Sequence, residues 1–147
     1  MLNLIDIDEG NWRTPLAVSQ EQTGFVANTT TILARAYAYR EYRSRAFLVC
    51  REDTPVGIGM YHDSPELEAY IFSELFIDRR YQGRGYGKHA TELILNDLRQ
   101  DGKYRKVVLC YIQGNIAAKH MYESFGFTET DRDEDEIMME LEWSQCQ

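Results

Sequence analysis

The chain has 147 residues, 44% apolar and 27% charged, with 24 acidic against 16 basic side chains and a net charge of −8. That length suits one domain, read as spanning 1–147, with a core of its own. The acidic balance argues against nucleic acid as a partner, and no apolar run exceeds about six residues where a membrane-spanning helix needs about 20.

The start, MLNLIDIDEG, has neither a basic stretch nor a long apolar one and does not read as a signal peptide. LNLIDI alternates and predicts a first strand. Asn11 to Val18 reads as a short helix with Pro15 in its first turns. NTTTILARAYAYREYR predicts a longer helix, capped by Asn28 or Thr29, with Leu33, Ala36, Tyr37 and Arg40 on one face. AFLVCRE and VGIGMYH predict strands joined by a turn at Asp53-Thr54-Pro55.

EAYIFSELFID predicts a longer strand. Alternation puts Tyr70, Phe72, Glu74 and Phe76 on one face, and Ala69, Ile71, Ser73, Leu75 and Ile77 on the other. HATELILNDLR carries a helical stripe of Ala90, Leu93, Ile94 and Leu98. KVVLCYI is a continuous apolar strand of the kind covered on both faces, with Cys110 inside it. NIAAKHMYESF predicts a helix stopped by Gly126. DEIMMELEW closes the pattern as a strand with Ile137, Met139, Leu141 and Trp143 on one face. Antiparallel strands come first and β-α-β units follow, so the fold class is α+β or mixed α/β, with about four helices.

Cys50, Cys110 and Cys146 are odd in number and form no CxxC pair. They predict free thiols in a reducing, cytoplasmic setting. His62, His89 and His120 lack metal-ligand spacing, so no metal is expected.

The stretch RRYQGRGYGK stands out in this acidic chain. It holds Arg79, Arg80, Arg84 and Lys88, three glycines and no acid. A Walker A loop would need Ser or Thr after Gly87-Lys88 and a glycine at Gln82; His89 and Gln82 exclude it. A dinucleotide fingerprint would need a glycine where Lys88 stands. The third pattern is Q-x-x-G-x-G, from Gln82, Gly85 and Gly87, between a strand and a helix. Without Cβ atoms, backbone N–H groups there can converge on an anion, aided by the helix N-terminus. Arg84 and Lys88 add full charge. The ligand this predicts is a compact phosphate group, a pyrophosphate above all. The plain alternative is a glycine turn with solvated basic side chains.

With these residues in view, FIDRRYQGRGYGKHATELIL resembles the acetyl-CoA-binding motif of the GCN5-related N-acetyltransferases. NIAAKHMYESFGF resembles that family's second signature, a helix with an early Asn and a late Tyr before Gly-Phe. The resemblance implies a central mixed sheet whose fourth and fifth strands splay around the cofactor. It places the pyrophosphate on Gln82, Gly83, Arg84, Gly85, Tyr86, Gly87 and Lys88, and the pantetheine arm along Phe76 and Ile77 as an added strand. Asn115 would bond the pantetheine or acetyl region.

Tyr122 shares a helix face with Asn115, Ala118 and Lys119 and is the candidate general acid; the alternative is a packed aromatic beside Phe125 and Phe127. Glu74 is the candidate to remove or relay the proton of an ammonium, against a satisfied edge carboxylate. Lys119 is either a surface charge or a partner of a cofactor phosphate.

SQEQTGFVANTTTILARAYAYREY has an acid-plus-aromatic pattern that resembles the bacterial spermine/spermidine group of the family. Glu21, Phe25, Tyr37 and Tyr39 are its acceptor candidates: carboxylates attract a polycation, and aromatic faces hold alkylammonium groups by about 0.5–2 kcal/mol each. Each has a bland alternative, a core aromatic or a solvated charge. Ser73 before Glu74 departs from the acid-then-base pair common in that group. The run DRDEDE is either a solvated loop or a steering field for a polyamine.

The resemblance implies a cytoplasmic enzyme moving acetyl from acetyl-CoA to an amine, a polyamine such as spermidine or spermine, by direct attack in a ternary complex. No cysteine lies in either motif. Family members often form homodimers. The rivals are a protein, peptide or antibiotic acetyltransferase on the same fold, and a non-catalytic acyl-CoA or polyamine-binding module.

Overall fold

The computed structural model describes residues 1–144; Cys146 lies outside the described residues. The elements run β1 (Leu2–Asp6), α1 (Thr29–Ala38), β2 (Arg45–Arg51), β3 (Thr54–Ser64), β4 (Ala69–Ile77), α2 (Tyr86–Asp101), β5 (Lys106–Ile112), α3 (Ile116–Ser124), β6 (Thr128–Asp133) and β7 (Glu136–Glu142). The seven strands form one mixed sheet in the order β1-β2-β3-β4-β5-β7-β6. Every neighbouring pair is antiparallel except β4 and β5. No described helix is long and apolar enough to cross a membrane.

Two apolar layers sandwich the sheet. Ala90, Ile94 and Leu98 of α2 pack with Phe47, Val49, Tyr70, Phe72, Val107 and Leu109, and Ala118 and Tyr122 of α3 join that layer. On the other face, Ile32 of α1 and Leu16 pack with Leu48, Ile58, Met60 and Phe76.

Several expectations are corrected. Residues 11–18 form no helix. Asp8 accepts from Gly10 N (2.8 Å) and Asn11 N (3.1 Å) in tight turns, and the chain beyond Pro15 is pinned to the end of β4. Among the described residues, three α-helices and three short 3-10 turns therefore replace the expected four helices. Asn28 caps α1 through Thr31 N (2.8 Å), as expected, but the buried stripe centres on Ile32 and Ala36. Tyr37 is 68% exposed, with the Arg40 guanidinium 4.1 Å above its ring. The β2–β3 turn sits at Glu52–Asp53, one step earlier than expected.

The acidic run DRDEDE is not a loop. Its first half belongs to β6, exposed throughout, which turns at Glu134 (φ 55°) into β7. Cys110 is exposed, because the α1 side of β5 has no helix over it at that point.

The alternation along β4 breaks once. Met60 pairs with Glu74 and Tyr61 with Phe72, which leaves Ser73 as a bulged extra residue. A one-residue insertion flips every later side chain. Tyr70 and Phe72 therefore face the α2 layer, whereas Phe76 packs in the α1 layer and Leu75 returns to the α2 side.

Candidate active site

β4 and β5 pair only at Tyr70–Val107 and Ile71–Val108. Beyond the Ser73 bulge their edges part, and the gap opens into a cavity of about 380 Å³. The glycine loop forms its floor. Gly83 and Gly85 both sit at φ 80°, left-handed backbone that glycine adopts without a Cβ penalty. A Cβ on either would meet nothing within 4 Å, so the loop presents an open cradle.

Gly85 is the residue before α2, and the first helical bond runs from His89 N to Gly85 O (3.1 Å). The backbone N–H groups of residues 83–88 donate to no acceptor among the described residues. Six unpaired donors at a helix start are a site for an anion. Of the four cations in the stretch, Arg80 is taken by Asp78 (2.7 Å). Arg84 lies over the Tyr81 ring (5.8 Å), and Lys88 has no partner among the described residues, so both stand exposed beside the cradle. These groups fit a diphosphate.

Asp78, absent from the sequence-based candidates, fastens this loop. Its buried carboxylate accepts from Ala17 N (2.9 Å), Arg80 N (3.0 Å) and Arg80 Nε (2.7 Å), while Arg79 N donates to Ala17 O (2.8 Å). Burial alone would raise its pKa, but these donors outweigh it and hold the carboxyl below its ordinary range. Gln82 has a similar clamping role: Nε2 donates to Ile77 O (2.9 Å) and to Gln22 Oε1 (2.8 Å).

The strand edge can be assigned from one bond. Asp78 N donates to Val56 O (2.7 Å), so by alternation the main chain of Phe76 also faces β3. The groups that face the gap belong to Leu75 and Ile77. An added strand would therefore pair with Leu75 and Ile77; Phe76 contributes its buried side chain to the wall. Asn115 lines the cavity and caps α3 through Ala118 N (3.2 Å), leaving its amide nitrogen free to donate.

Tyr122 is both packed and available. Its ring meets Phe72 (5.9 Å) and Phe127 (5.8 Å) edge-on. Its hydroxyl makes no hydrogen bond among the described residues, yet no fully buried side-chain oxygen there lacks a partner, so the hydroxyl reaches the cavity. Burial pushes the phenol up to about 12 and keeps it protonated. Lys119 stands outside the cavity, exposed and without a partner among the described residues.

A second cavity, of about 890 Å³, adjoins the first along Phe25, Phe72, Ser73, Glu74, Cys110 and Tyr111. Phe25 lines both, and Tyr39 lines the second, stacked on His62 at 4.2 Å. Glu21 and Tyr37 line neither. Residues that sequence reasoning missed complete the wall, Arg35, Tyr42, His62, Asp63 and Glu66, together with Glu136, the last residue of the acidic run DRDEDE. The His62 Nδ1 lies 2.8 Å from the Asp63 carbonyl, which can only accept, so Nδ1 carries a proton.

Four carboxylates line this second cavity, against Arg35 as the one Lys or Arg among the described residues. Asp63 is neutralised from behind by Arg43 (2.7 and 3.1 Å) and Lys103 (3.3 Å). Arg43 also grips Asp101 (3.0 Å), and these bonds hold the Asp101 carboxyl well below its usual range. Glu74, turned to the α1 side by the bulge, is 11% exposed and pairs with Arg35. Cys110 sits where the cavities meet, open to them on one side; partial desolvation by the surrounding walls first, and then the Glu136 charge, push its thiol up.

Residues 8–127 match the Acetyltransferase (GNAT) family. The chain is 30% identical over 118 residues to the Spermine/spermidine N(1)-acetyltransferase of Bacillus subtilis (strain 168), covering 76% of each. Its fold is similar to the ribosomal-protein-S18-alanine N-acetyltransferase of Escherichia coli (TM-score 0.78, 20% identity, 100% of this chain and 97% of that one). It is also similar to spermidine N-acetyltransferase from Vibrio cholerae, solved with CoA and spermine (TM-score 0.76, 17% identity, 96% and 95%). The parted strands, the glycine cradle and these matches agree: the chain belongs to the GNAT family of acetyltransferases and uses acetyl-CoA.

Proposed function

We propose that the protein acetylates a primary amine of a polyamine, of the spermidine or spermine kind, by direct attack of the amine within a ternary complex. The observation that carries this is the junction at Glu74. An anion cradle opens on one side of it, and a cavity walled by aromatics and carboxylates on the other. The Bacillus subtilis relative named for spermine and spermidine supports the same acceptor class.

Acetyl-CoA supplies an activated thioester acyl group when bound. The N–H groups of residues 83–88, with Arg84 and Lys88, would hold its diphosphate. The Leu75 and Ile77 edge and the Asn115 amide would orient the pantetheine arm. Glu74 takes a proton from the incoming ammonium, directly or through water, since an alkylammonium of pKa about 10.4 arrives charged. The freed nitrogen lone pair would form the C–N bond as the C–S bond breaks; the Tyr122 hydroxyl would donate to the departing sulfur, and the second proton lost by the nitrogen would return to Tyr122 or leave through water. A Cys110 thiol held high supplies little thiolate, which favours direct attack over an acetylated cysteine. The free thiols Cys50 and Cys110 support a cytoplasmic setting.

The test is thiol release from acetyl-CoA with polyamines, amino acids, aminoglycosides and peptides as acceptors. Turnover greatest with spermidine or spermine is expected. Turnover confined to another class, or coenzyme A binding without transfer to any amine, would overturn the proposal.

A further inference from the structure

We propose that Arg35 is a resident counter-ion that occupies the ammonium position on Glu74 and must be displaced by the acceptor, which makes it a specificity-determining competitor. This rests on the amine-acetylation reading above.

Glu74 lies where the two cavities meet, and its charged partner is Arg35. Its neighbour Asp63 shows the contrast. Asp63 is held by Arg43 and Lys103, which line neither cavity, and Arg43 is locked by a second carboxylate, Asp101, which also accepts from the Tyr70 hydroxyl (2.5 Å). That network is cross-braced and its charge is satisfied within the fold. The Arg35–Glu74 pair has no such bracing among the described residues. Arg35 is 39% exposed on α1, one turn after the buried Ile32, with its stem free to swing on four rotatable bonds.

The charge balance of the cavity decides which ligand Arg35 meets. With Asp63 neutralised, Glu66, Glu74 and Glu136 remain against the single positive charge of Arg35. A carboxylate-bearing acceptor anchored on Arg35 would enter a field that is net negative. A polyamine instead exchanges cation for cation at Glu74, so no new net charge is buried, and its further ammonium groups meet Glu66 or Glu136. Arg35 then lowers the apparent affinity by the fraction of time it occupies Glu74. For a part-exposed pair the fraction of time Glu74 is left free corresponds to about a two- to fivefold effect.

The test titrates spermidine by calorimetry into the full-length protein with coenzyme A present, for the wild type, Arg35→Gln and Arg35→Lys. Thiol-release KM is measured alongside. Arg35→Gln should bind spermidine about two- to fivefold tighter, with KM falling by the same factor, while Arg35→Lys, which keeps the competing charge, stays near wild type. Unchanged or weaker binding by Arg35→Gln, with a wild type that acetylates spermidine, overturns the competitor role and leaves the polyamine reading standing. Absence of both spermidine binding and spermidine acetylation in the wild type and in Arg35→Gln overturns the two together.

Discussion

Replacing Tyr122 by Phe removes one hydroxyl and nothing else from the site. The structure sets the scale of the effect. The phenol is pushed up to about 12, so against a thiol of about 8.5, handing its proton over completely is uphill by about 5 kcal/mol. Tyr122 therefore acts as a hydrogen-bond donor to the sulfur with partial transfer, which puts its contribution at the low end of general acid catalysis, about 10²-fold in kcat. Stability should change by no more than about 0.5 kcal/mol, because the hydroxyl has no protein partner to lose and the ring keeps Phe72 and Phe127. The kinetic loss is thus separable from unfolding. The assay is thiol release for kcat, with calorimetry for coenzyme A affinity, which should stay within about twofold. A kcat within threefold of wild type would refute the role.

The same residue carries a pH signature. The neutral phenol is favoured in the fold, so its contribution to stability is complete below the ordinary value of 10.0 and is lost as the pH rises through about 12. Across that window the wild type should lose more stability than Tyr122→Phe.

Asp78→Ala leaves the N–H groups of Ala17 and Arg80 without an acceptor and should lower unfolding stability by about 2–3 kcal/mol in a denaturant titration. Its wild-type contribution holds above the ordinary carboxylate pKa of 3.8 and disappears as the pH falls through the depressed folded value, so the gap between wild type and variant should close in acid. Gly85→Val places a branched side chain at φ 80°, and the cradle must rearrange. Coenzyme A affinity by calorimetry should fall at least tenfold, and an unchanged value would count against the loop as the diphosphate site.

The parts of this protein that were legible in its sequence are local. The Q-x-x-G-x-G loop needs only residues 82–87, and positive φ at Gly83 and Gly85 follows from there being a turn between a strand and a helix. The Asn28 cap and the α2 stripe are equally local. What failed depended on partners distant in sequence. The bulge at Ser73 arises from how β4 meets β3, and it moved Glu74 and Phe76 to the face opposite Tyr70 and Phe72. No residue pattern in EAYIFSELFID announces it. The strand β6 carries no buried side chain, so it lacks the apolar alternation by which strands are read, and its pairing with β7 alone defines it. The segment around Pro15 is shaped by Asp78, some 60 positions away. Arg35 and Asp63 look like solvated charges in sequence, and only the fold brings them to the acceptor cavity.

The central claim is that free main-chain N–H groups beside Gly83, Gly85 and Gly87 grip the diphosphate of the cofactor. Amide-resolved NMR of the full chain titrated with coenzyme A, and in parallel with pantetheine lacking the diphosphate, tests it directly. Large shifts at the amides of residues 83–88 with coenzyme A, absent with pantetheine, while Leu75 and Ile77 shift with both, are the predicted result. Saturating coenzyme A that leaves the amides of residues 83–88 unmoved would contradict it.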